Sequence, residues 1–428
     1  MKKIILGAIT LTTIFGLASF MVQVPAQANG GGGRKIVVFD TALNDAAKDE
    51  LIARAGGAKL KNLDLIGAKA VWVPDRAAAA KLATSPGVVR VDDDVVVEAL
   101  RKTVTPQPAE TLPWGIDRVD AELVWPGNTA DQIKVGIIDT GISNTHPDLL
   151  ANVKGGVNTI NPLKNWNDDN GHGSHVAGIV AGLDNEIGVI GVGPTIDLYA
   201  IKVLNRNGSG WISDVIEGIQ WAIANNMQVV NMSLGTASDI QSLHDAVTAA
   251  KTAGIVVVAA AGNSGSSTDG SSTVIYPAAY PETIAISATD RNNVIASWSS
   301  RGPEVDLAAP GVSIYSTYKG TGYTTLSGTS MAAPHVTGSV ALVLNTPVGS
   351  YDANANSVWD PDEVQVKLQA TATELGIAGL DNLYGWGLVN AFAATKTDLP
   401  TPLFIAVRFW FGCFPTSFRE LFTGKDYA

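Results

Sequence analysis

A single cysteine, Cys413, in 428 residues excludes an intramolecular disulfide framework and a cysteine-built zinc cage. Charged side chains make up only 16% of the chain, against roughly 25% in an average soluble protein. Neither an ion-pair-laced surface nor a long disordered tail of one sign is therefore expected. Basic residues are the minority, 29 against 40 acidic for a formal charge of −11. That argues against nucleic acid or an anionic membrane as partner, since both select Lys/Arg-rich faces. Phenylalanine is missing from residues 40 to 391. What is plentiful is aliphatic and small: 46% hydrophobic residues and 44 glycines, a globular composition rich in tight turns and long enough for two or three domains.

Charge divides the chain. Residues 1–34 carry Lys2, Lys3 and Arg34 and no acid. Lys2-Lys3, the apolar run Ile4 to Val24 and the small-x-small triplet Ala26-Gln27-Ala28 have the order of a secretory signal peptide, so residues 1–28 are expected to direct export and be removed. The rival reading, a transmembrane anchor, is weakened by Gly7, Gly16 and several Thr and Ser. Gly30 to Gly33 reads as a flexible joint. Residues 35–108 hold 11 basic and 10 acidic residues, whereas 109–399 hold 12 basic against 28 acidic, so the anionic character belongs to the large central piece. At the far end, six of the ten Phe lie between Phe404 and Phe422, together with the only Cys. Leu403 to Phe414 is shorter than the ~20 residues that span a bilayer; residues 399–428 read as an atypical tail, either an interfacial anchor or a foreign reading frame joined to the end, and the abrupt change of composition favours the second.

Hydrophobic periodicity supplies the elements. Lys35 to Asp40, Ala68 to Val73 and Val88 to Val97 read as strands, and Asp45 to Ala55 and Asp75 to Thr84 as helices stopped by Gly56-Gly57 and Pro86-Gly87. They make a small α+β unit with no His or Cys and no evident chemistry; residues 101–109, with Pro106 and Pro108, read as a linker. Beyond it, Ile133 to Ile138, Leu198 to Leu204, Val229 to Met232, Ile255 to Ala261 and Thr283 to Ala288 are nearly continuous apolar strands. Such strands are buried on both faces, and the helical patterns Ile212 to Asn225 and Asp239 to Ala253 fall between them. The expected class is α/β, a parallel sheet with helices on both faces.

Three segments carry chemistry. Val135-Gly136-Ile137-Ile138-Asp139-Thr140-Gly141 delivers an acid at the carboxyl end of a buried strand; Asn170-Gly171-His172-Gly173-Ser174-His175 opens a helix with a Gly-flanked His; Gly328-Thr329-Ser330-Met331-Ala332-Ala333-Pro334-His335 places a Ser at the start of another. Singly, each has a plain reading: Asp139 as a strand-end turn acid, Ser330 as a helix cap, His172 and His175 as a metal pair that no third ligand completes. Jointly these readings fail. The segments resemble the subtilisin-like serine proteases over about 110–395, in the chain order acid, His, Ser. Asn225 to Gly235 and Tyr276-Pro277-Ala278-Ala279-Tyr280-Pro281 add independent matches, and the small unit resembles the family's inhibitor-like, ferredoxin-like propeptide.

The resemblance implies an enzyme in which Asp139, His172 and Ser330 form the triad and Asn263 is the side-chain oxyanion donor. Gly208, Ser209 and Gly210 with Ser233, Leu234 and Gly235 would flank the cleft and bind extended peptide as an added strand; the bland alternative is simple Gly turns. Ile275, where the family usually has a small residue, would shorten the main specificity pocket, and Ser264 brings no acid to attract Lys or Arg. The implied cofactor is Ca²⁺, held by Asp148, the carbonyls of Leu183, Ile187 and Val189, the Asn185 amide and Glu110, where the family usually has Gln. A weaker site is implied at Ala278, Tyr280 and Thr283 with Asp306. Independently of the family, Asp352, Asn354, Asn356, Val358, Asp360 and Glu363 occupy positions 1, 3, 5, 7, 9 and 12 of an EF-hand pattern, with Ser357 where Gly is usual. The plain reading there is a solvated loop capping the helix from Pro361.

The expected organisation is a signal peptide (1–28), an inhibitor and chaperone propeptide (29–100), a linker (101–109), a catalytic domain (110–398) and the tail. Expected partners are protein and peptide substrates and the chain's own propeptide, with no nucleic acid, no stable membrane anchor and a monomeric, secreted enzyme. Autoprocessing is expected between Leu100 and Arg101. Two rivals remain: a metal-dependent hydrolase using His172 and His175, and a non-catalytic binding protein on the same fold.

Overall fold

In a computed structural model of the chain, residues 32–99, 102–104, 111–265 and 271–396 are described. The expected signal peptide, the Leu100–Arg101 bond, Glu110 and the tail from 399 lie outside them. β1 (Gly33–Phe39), α1 (Asp45–Arg54), β2 (Ala58–Leu63), β3 (Ala68–Val73), α2 (Arg76–Ala83) and β4 (Val88–Asp93) build the first unit. Its sheet runs β2-β3-β1-β4 with antiparallel neighbours, the βαββαβ arrangement of ferredoxin-like folds. Asn44 and Asp75 cap the two helices by accepting the N–H of Ala47 and Ala78. Strand alternation sends Val37, Phe39, Val71 and Val73 against Ile52, Ala78 and Leu82 of these helices. The opposite face, with Ile36, Leu63, Ala68 and Ala70, joins the core of the larger domain.

The one strand expected from Val88 to Val97 is two. Asp94, 3% exposed, interrupts it. Its carboxylate accepts the Ser213 N–H at 2.9 Å, the Ser213 hydroxyl at 2.8 Å and Arg34 Nε at 2.7 Å, so it serves the first turn of a helix in the larger domain. The chain then enters a different sheet as β5 (Val96–Ala99), and a further short strand, β6 (Lys102–Val104), lies inside the expected linker.

The larger domain opens with α3 (Trp114–Arg118), β7 (Lys134–Asp139), β8 (Val153–Asn158), α4 (His172–Ala181), β9 (Asp197–Lys202), β10 (Ser209–Trp211) and α5 (Ile212–Ala224). Next come β11 (Val229–Met232), β12 (Leu234–Gly235), α6 (Gln241–Thr252), β13 (Val256–Ala260), β14 (Thr283–Thr289) and β15 (Leu307–Pro310). It closes with β16 (Ile314–Thr317), β17 (Tyr323–Ser327), α7 (Thr329–Leu344), α8 (Pro361–Ala370) and α9 (Ala391–Thr395). Seven strands form one parallel sheet in the order β15-β14-β13-β11-β7-β9-β8. Alternation along β13 sends Val256, Val258 and Ala260 to the face covered by α4 and α7, and Val257 and Ala259 to the face covered by α5 and α6. β8, with Gly155-Gly156, and β15, Leu-Ala-Ala-Pro, lack the β-branched run that announces a strand.

The sheet grows to one side of β7 through β9 and β8 and to the other through β11, β13, β14 and β15. Such a switch point opens a crevice at the carboxyl ends of the strands. The first unit sits on α5 and α6. Leu65 N–H donates to Gln220 Oε1 at 2.9 Å, Lys61 pairs with Asp214 and Glu217, and Arg90 pairs with Asp245. The gain from pairing is largely offset by desolvation of the partly buried Lys61 and Asp214, whereas burying a large apolar side chain contributes about 1.5–3 kcal/mol. The apolar face therefore supplies the adhesion and the polar contacts the register. No helix among the described residues is long and apolar enough to cross a membrane.

Candidate active site

Asp139 ends β7 and His172 begins α4, and both are fully buried. His172 Nδ1 lies 2.8 Å from each carboxylate oxygen of Asp139, and Asp139 Oδ1 also accepts the Thr140 N–H at 2.7 Å. With Nδ1–H donated to the carboxylate, the basic nitrogen of the ring is Nε2. The approach is made possible by glycine. A Cβ at Gly173 would fall 2.1 Å from the Gly141 carbonyl oxygen, and one at Gly171, where φ is 112°, would fall 2.3 Å from the Tyr318 ring.

Ser330 lies in the first turn of α7, where helix N–H groups have no partner within the helix. Its hydroxyl donates to the Ser233 carbonyl at 3.2 Å, and the Ser233 hydroxyl donates to the Ser330 carbonyl at 2.9 Å, tying α7 to the turn after β11. Asn263 follows β13 at the same edge. Its side-chain oxygen accepts both the N–H and the hydroxyl of Thr329 at 3.0 Å. The Asp139–His172 contact thus lies at the carboxyl end of β7, while Ser330 and Asn263 lie at the carboxyl ends of β11 and β13 in the same sheet.

Beside them is a slot with two edges. β5 fills it as the middle strand, antiparallel to both β10 and β12. Gly210 faces Val97, Ser209 faces Glu98, and Leu234 faces Ala99. Gly208, at φ 77°, turns the chain into β10. Ile275 packs beneath: its Cδ1 would meet a Cβ on Gly235 at 2.6 Å, and its Cγ1 one on Gly262 at 3.2 Å. Of the residues expected to flank a peptide, Ser209, Gly210, Leu234 and Gly235 pair with an extended segment of the chain itself, while Gly208 and Ser233 stand just outside the pairing. β6 continues past the slot against β17, with Lys102 opposite Ser327.

The expected calcium loop closes on a buried carboxylate. Asp148 is fully buried; its Oδ2 accepts the Val189 N–H at 2.8 Å and its carbonyl accepts the Leu183 N–H at 3.0 Å. Asn185 Oδ1 accepts the Ile187 N–H at 3.1 Å, and Thr111 N–H donates to the Gly188 carbonyl at 2.9 Å. Among the described residues, none donates a hydrogen bond to the carbonyls of Leu183, Ile187 or Val189. The weaker site is differently arranged. The Thr283 hydroxyl is directed to the carbonyls of Ala278 and Tyr280, and Asp306 accepts Ala285 N–H, Gln365 and Gln369. In the EF-like loop, Ser357 makes the left-handed turn itself at φ 61°. Asp352 accepts the N–H of Asn356 and Ser357, Asn354 and Asn356 turn their amides to Asp360, and the Asn356 oxygen takes the Val358 N–H. Glu363 accepts the N–H groups of Asp360 and Ala353, so this loop is used as the capping box of α8. No three His, Cys, Asp or Glu side chains among the described residues converge as a metal cage.

The two histidines of the metal-pair reading serve different partners. His175 Nε2 lies 3.0 and 3.1 Å from the carbonyls of Ile314 and Thr324, away from the Asp139 contact. Sequence reasoning missed Thr140, Asp168 and Lys202, which surround that contact; nothing in the residues next to Asp168 or Lys202 marks them.

The comparisons agree with this geometry. The subtilase family profile matches residues 130–387. Subtilisin E of Bacillus subtilis (strain 168) is 41% identical over 392 residues, covering 90% of this chain and 97% of its own. Subtilisin BL of Lederbergia lenta is 47% identical over 289 residues, 67% of this chain and all of its own length. An alkaline protease of Shouchella clausii is 44% identical over 316 residues, 74% of this chain and 76% of its own. With a parallel α/β sheet and this match to the subtilases over most of its length, the chain is a serine endopeptidase. The chain belongs to the subtilase family.

Two buried histidines give the domain an acid limit. Burial pushes His175 down to about 3, with the neighbouring His172 adding to it, and pushes His335 down to about 4. The unfolded chain takes up their protons near 6.5, which the folded state refuses. Stability therefore falls as pH drops below about 6.5, by about 1.4 kcal/mol per pH unit for each histidine, and this contribution levels off below pH 3–4. Denaturant unfolding of Ser330→Ala protein between pH 6.5 and 5, above the range of most carboxylates, reads this directly; a flat midpoint across that window contradicts it.

Proposed function

We propose that the chain is a secreted, calcium-dependent serine endopeptidase of broad specificity, made as a zymogen that cuts itself once folded. The observation that carries the chemistry is the 2.8 Å contact of buried His172 with both oxygens of Asp139. A serine hydroxyl is a poor nucleophile near neutral pH. His172 Nε2 takes the Ser330 proton as the oxygen attacks the scissile carbonyl, and Asp139 holds the tautomer and stabilises the imidazolium. The proton then passes to the leaving amine, and water repeats the sequence on the acyl-enzyme. Negative charge on the carbonyl oxygen is met by the Ser330 N–H at the head of α7 and by the Asn263 amide, whose own oxygen is already held by Thr329.

Substrate adds to the slot between β10 and β12 through its main chain, which reads no side chains, so unfolded and flexible proteins are the substrate class. Ile275 under the slot shortens the pocket and favours Leu or Ala over Phe or Tyr. The first unit is a tethered inhibitor and folding template. Its apolar face covers α5 and α6 while β5 occupies the substrate strand's place. Ala99 pairs with Leu234 on one side of the undescribed Leu100–Arg101 bond, and Lys102 pairs with Ser327 on the other, three residues before Ser330. That register brackets the bond proposed for self-cleavage. Export of the chain and action as a monomer complete the proposal.

The donors of the Leu183–Val189 loop fit calcium. A buried carboxylate, an amide oxygen and three carbonyls without described donors are an all-oxygen set suited to a hard cation. Asp148, Leu183, Asn185, Ile187 and Val189 would hold it, with Glu110 as a further carboxylate. A cation held there would supply charge compensation to Asp148.

Two outcomes test this. Ser330→Ala should leave a folded, uncut chain without hydrolytic activity, while the parent's first processed form begins at Arg101 and cleaves Leu peptides in preference to Phe peptides. N-terminal sequencing and peptide kinetics check both; self-maturation of Ser330→Ala, or a first start beyond Ala109, contradicts them. Chelating calcium should lower the melting temperature while leaving the initial rate in the cold nearly unchanged, because an ion bound only by the native state adds stability by mass action. A melting temperature indifferent to chelator would rule the calcium reading out.

A further inference from the structure

Every polar atom of Thr140 is engaged. Its N–H donates to Asp139 Oδ1 at 2.7 Å and its carbonyl accepts Lys202 Nζ at 2.6 Å. Its hydroxyl donates to Asp168 Oδ1 at 2.9 Å and accepts the Gly173 N–H at 2.9 Å. Thr140 is fully buried, and Asp168 is 3% exposed. Asp168 is in turn fixed by the turn that leads into α4 and by α4 itself: Oδ1 also accepts the N–H groups of Asn170 and Gly171 at 2.9 and 2.8 Å, and Oδ2 accepts the N–H and hydroxyl of Ser174 at 2.9 and 2.7 Å. Five donors on one carboxylate leave it a single orientation.

Thr140 follows Asp139 in the chain, and Gly173 follows His172. The Thr140 hydroxyl therefore bonds the neighbour of the acid to the neighbour of the histidine, and Asp168 fixes the direction of that hydroxyl. We propose that Thr140, oriented by Asp168, is a positioning residue that sets the separation and angle of Asp139 and His172 from outside their own contact. The proposal rests on the reading of those two residues as acid and base. Lys202 completes the clamp: its ammonium spans the carbonyls of Thr140 and Leu204 and reaches Asp169, so the turn after β7 is pinned from β9 as well. A loop staple alone would affect only stability. A positioning role affects the proton-transfer geometry, where displacement by about 1 Å lowers the rate on the order of a hundredfold.

The test compares Thr140→Val, which keeps the shape and loses the hydroxyl, with Thr140→Ser, which keeps the hydroxyl. Peptide kinetics are measured on processed enzyme, and the low-field proton resonance of His172 Nδ1–H on uncut Ser330→Ala chains. Thr140→Val should lower kcat by about ten- to a hundredfold with little change in KM and shift the low-field resonance, while Thr140→Ser recovers most of the loss. A parent-like kcat and resonance in Thr140→Val, or Thr140→Ser no better than Val, overturns the proposal. Should Thr140→Val not fold, Asp168→Asn takes its place, and a parent-like kcat and resonance there overturns it equally. Activity surviving in Ser330→Ala would instead defeat the acid–base reading itself, a separate result.

Discussion

A carboxylate sealed from water at the end of a strand is stable only where other groups meet its charge. Asp139 is met by the His172 ring and by the N–H of the next residue. That single requirement shapes much of the domain. It demands that β7 stop where α4 begins, that glycines at 171 and 173 let the two segments touch, and that the sheet reverse its order of growth beside β7 so that a crevice opens there. The helix that carries Ser330 lies along the α4 face of the sheet, its first turn tied to the turn after β11.

The crevice is also where the two halves of the chain become one object. The first unit uses its outward sheet face to share a core with α5 and α6, and it breaks its own last strand at Asp94 so that the carboxylate can cap α5. The chain released by that break runs straight into the slot between β10 and β12. In the proposed reading a substrate would enter the same slot by the same backbone pairing, and the tethered first unit would then resemble a substrate in everything but its attachment.

Much of this was legible in the sequence, and for a local reason. Asp139, His172 and Ser330 each sit in a run of residues whose small neighbours and hydrophobic flanks announce a strand end or helix start, and the runs of Val, Ile and Ala in β11, β13 and β14 could be nothing but buried strands. The opacity was in what depends on distant partners. Asp94 looks like one of three acids on an exposed strand until Ser213 stands opposite it. Gly155-Gly156 hides β8, because a strand lacking side chains is held by its neighbour β9 and not by its own propensity. The acids of 352–363 fit a cation-binding spacing yet bond to their own loop and to α8. Asp168 reads as loop polarity because its five donors come from other segments or from a helix end whose position the sequence does not state.

The central claim is that Ser330 is made nucleophilic by the Asp139–His172 couple. Covalent labelling tests it most directly: processed enzyme is treated with phenylmethylsulfonyl fluoride at the pH of full activity and the adduct is located by peptide mass mapping. The account predicts one sulfonyl group per molecule, on the peptide containing Ser330, with activity lost in step with labelling and no labelling in His172→Ala whose first unit has been removed by parent enzyme added in trans. An adduct on another residue, or labelling of Ser330 that proceeds at the parent rate in His172→Ala, would contradict it.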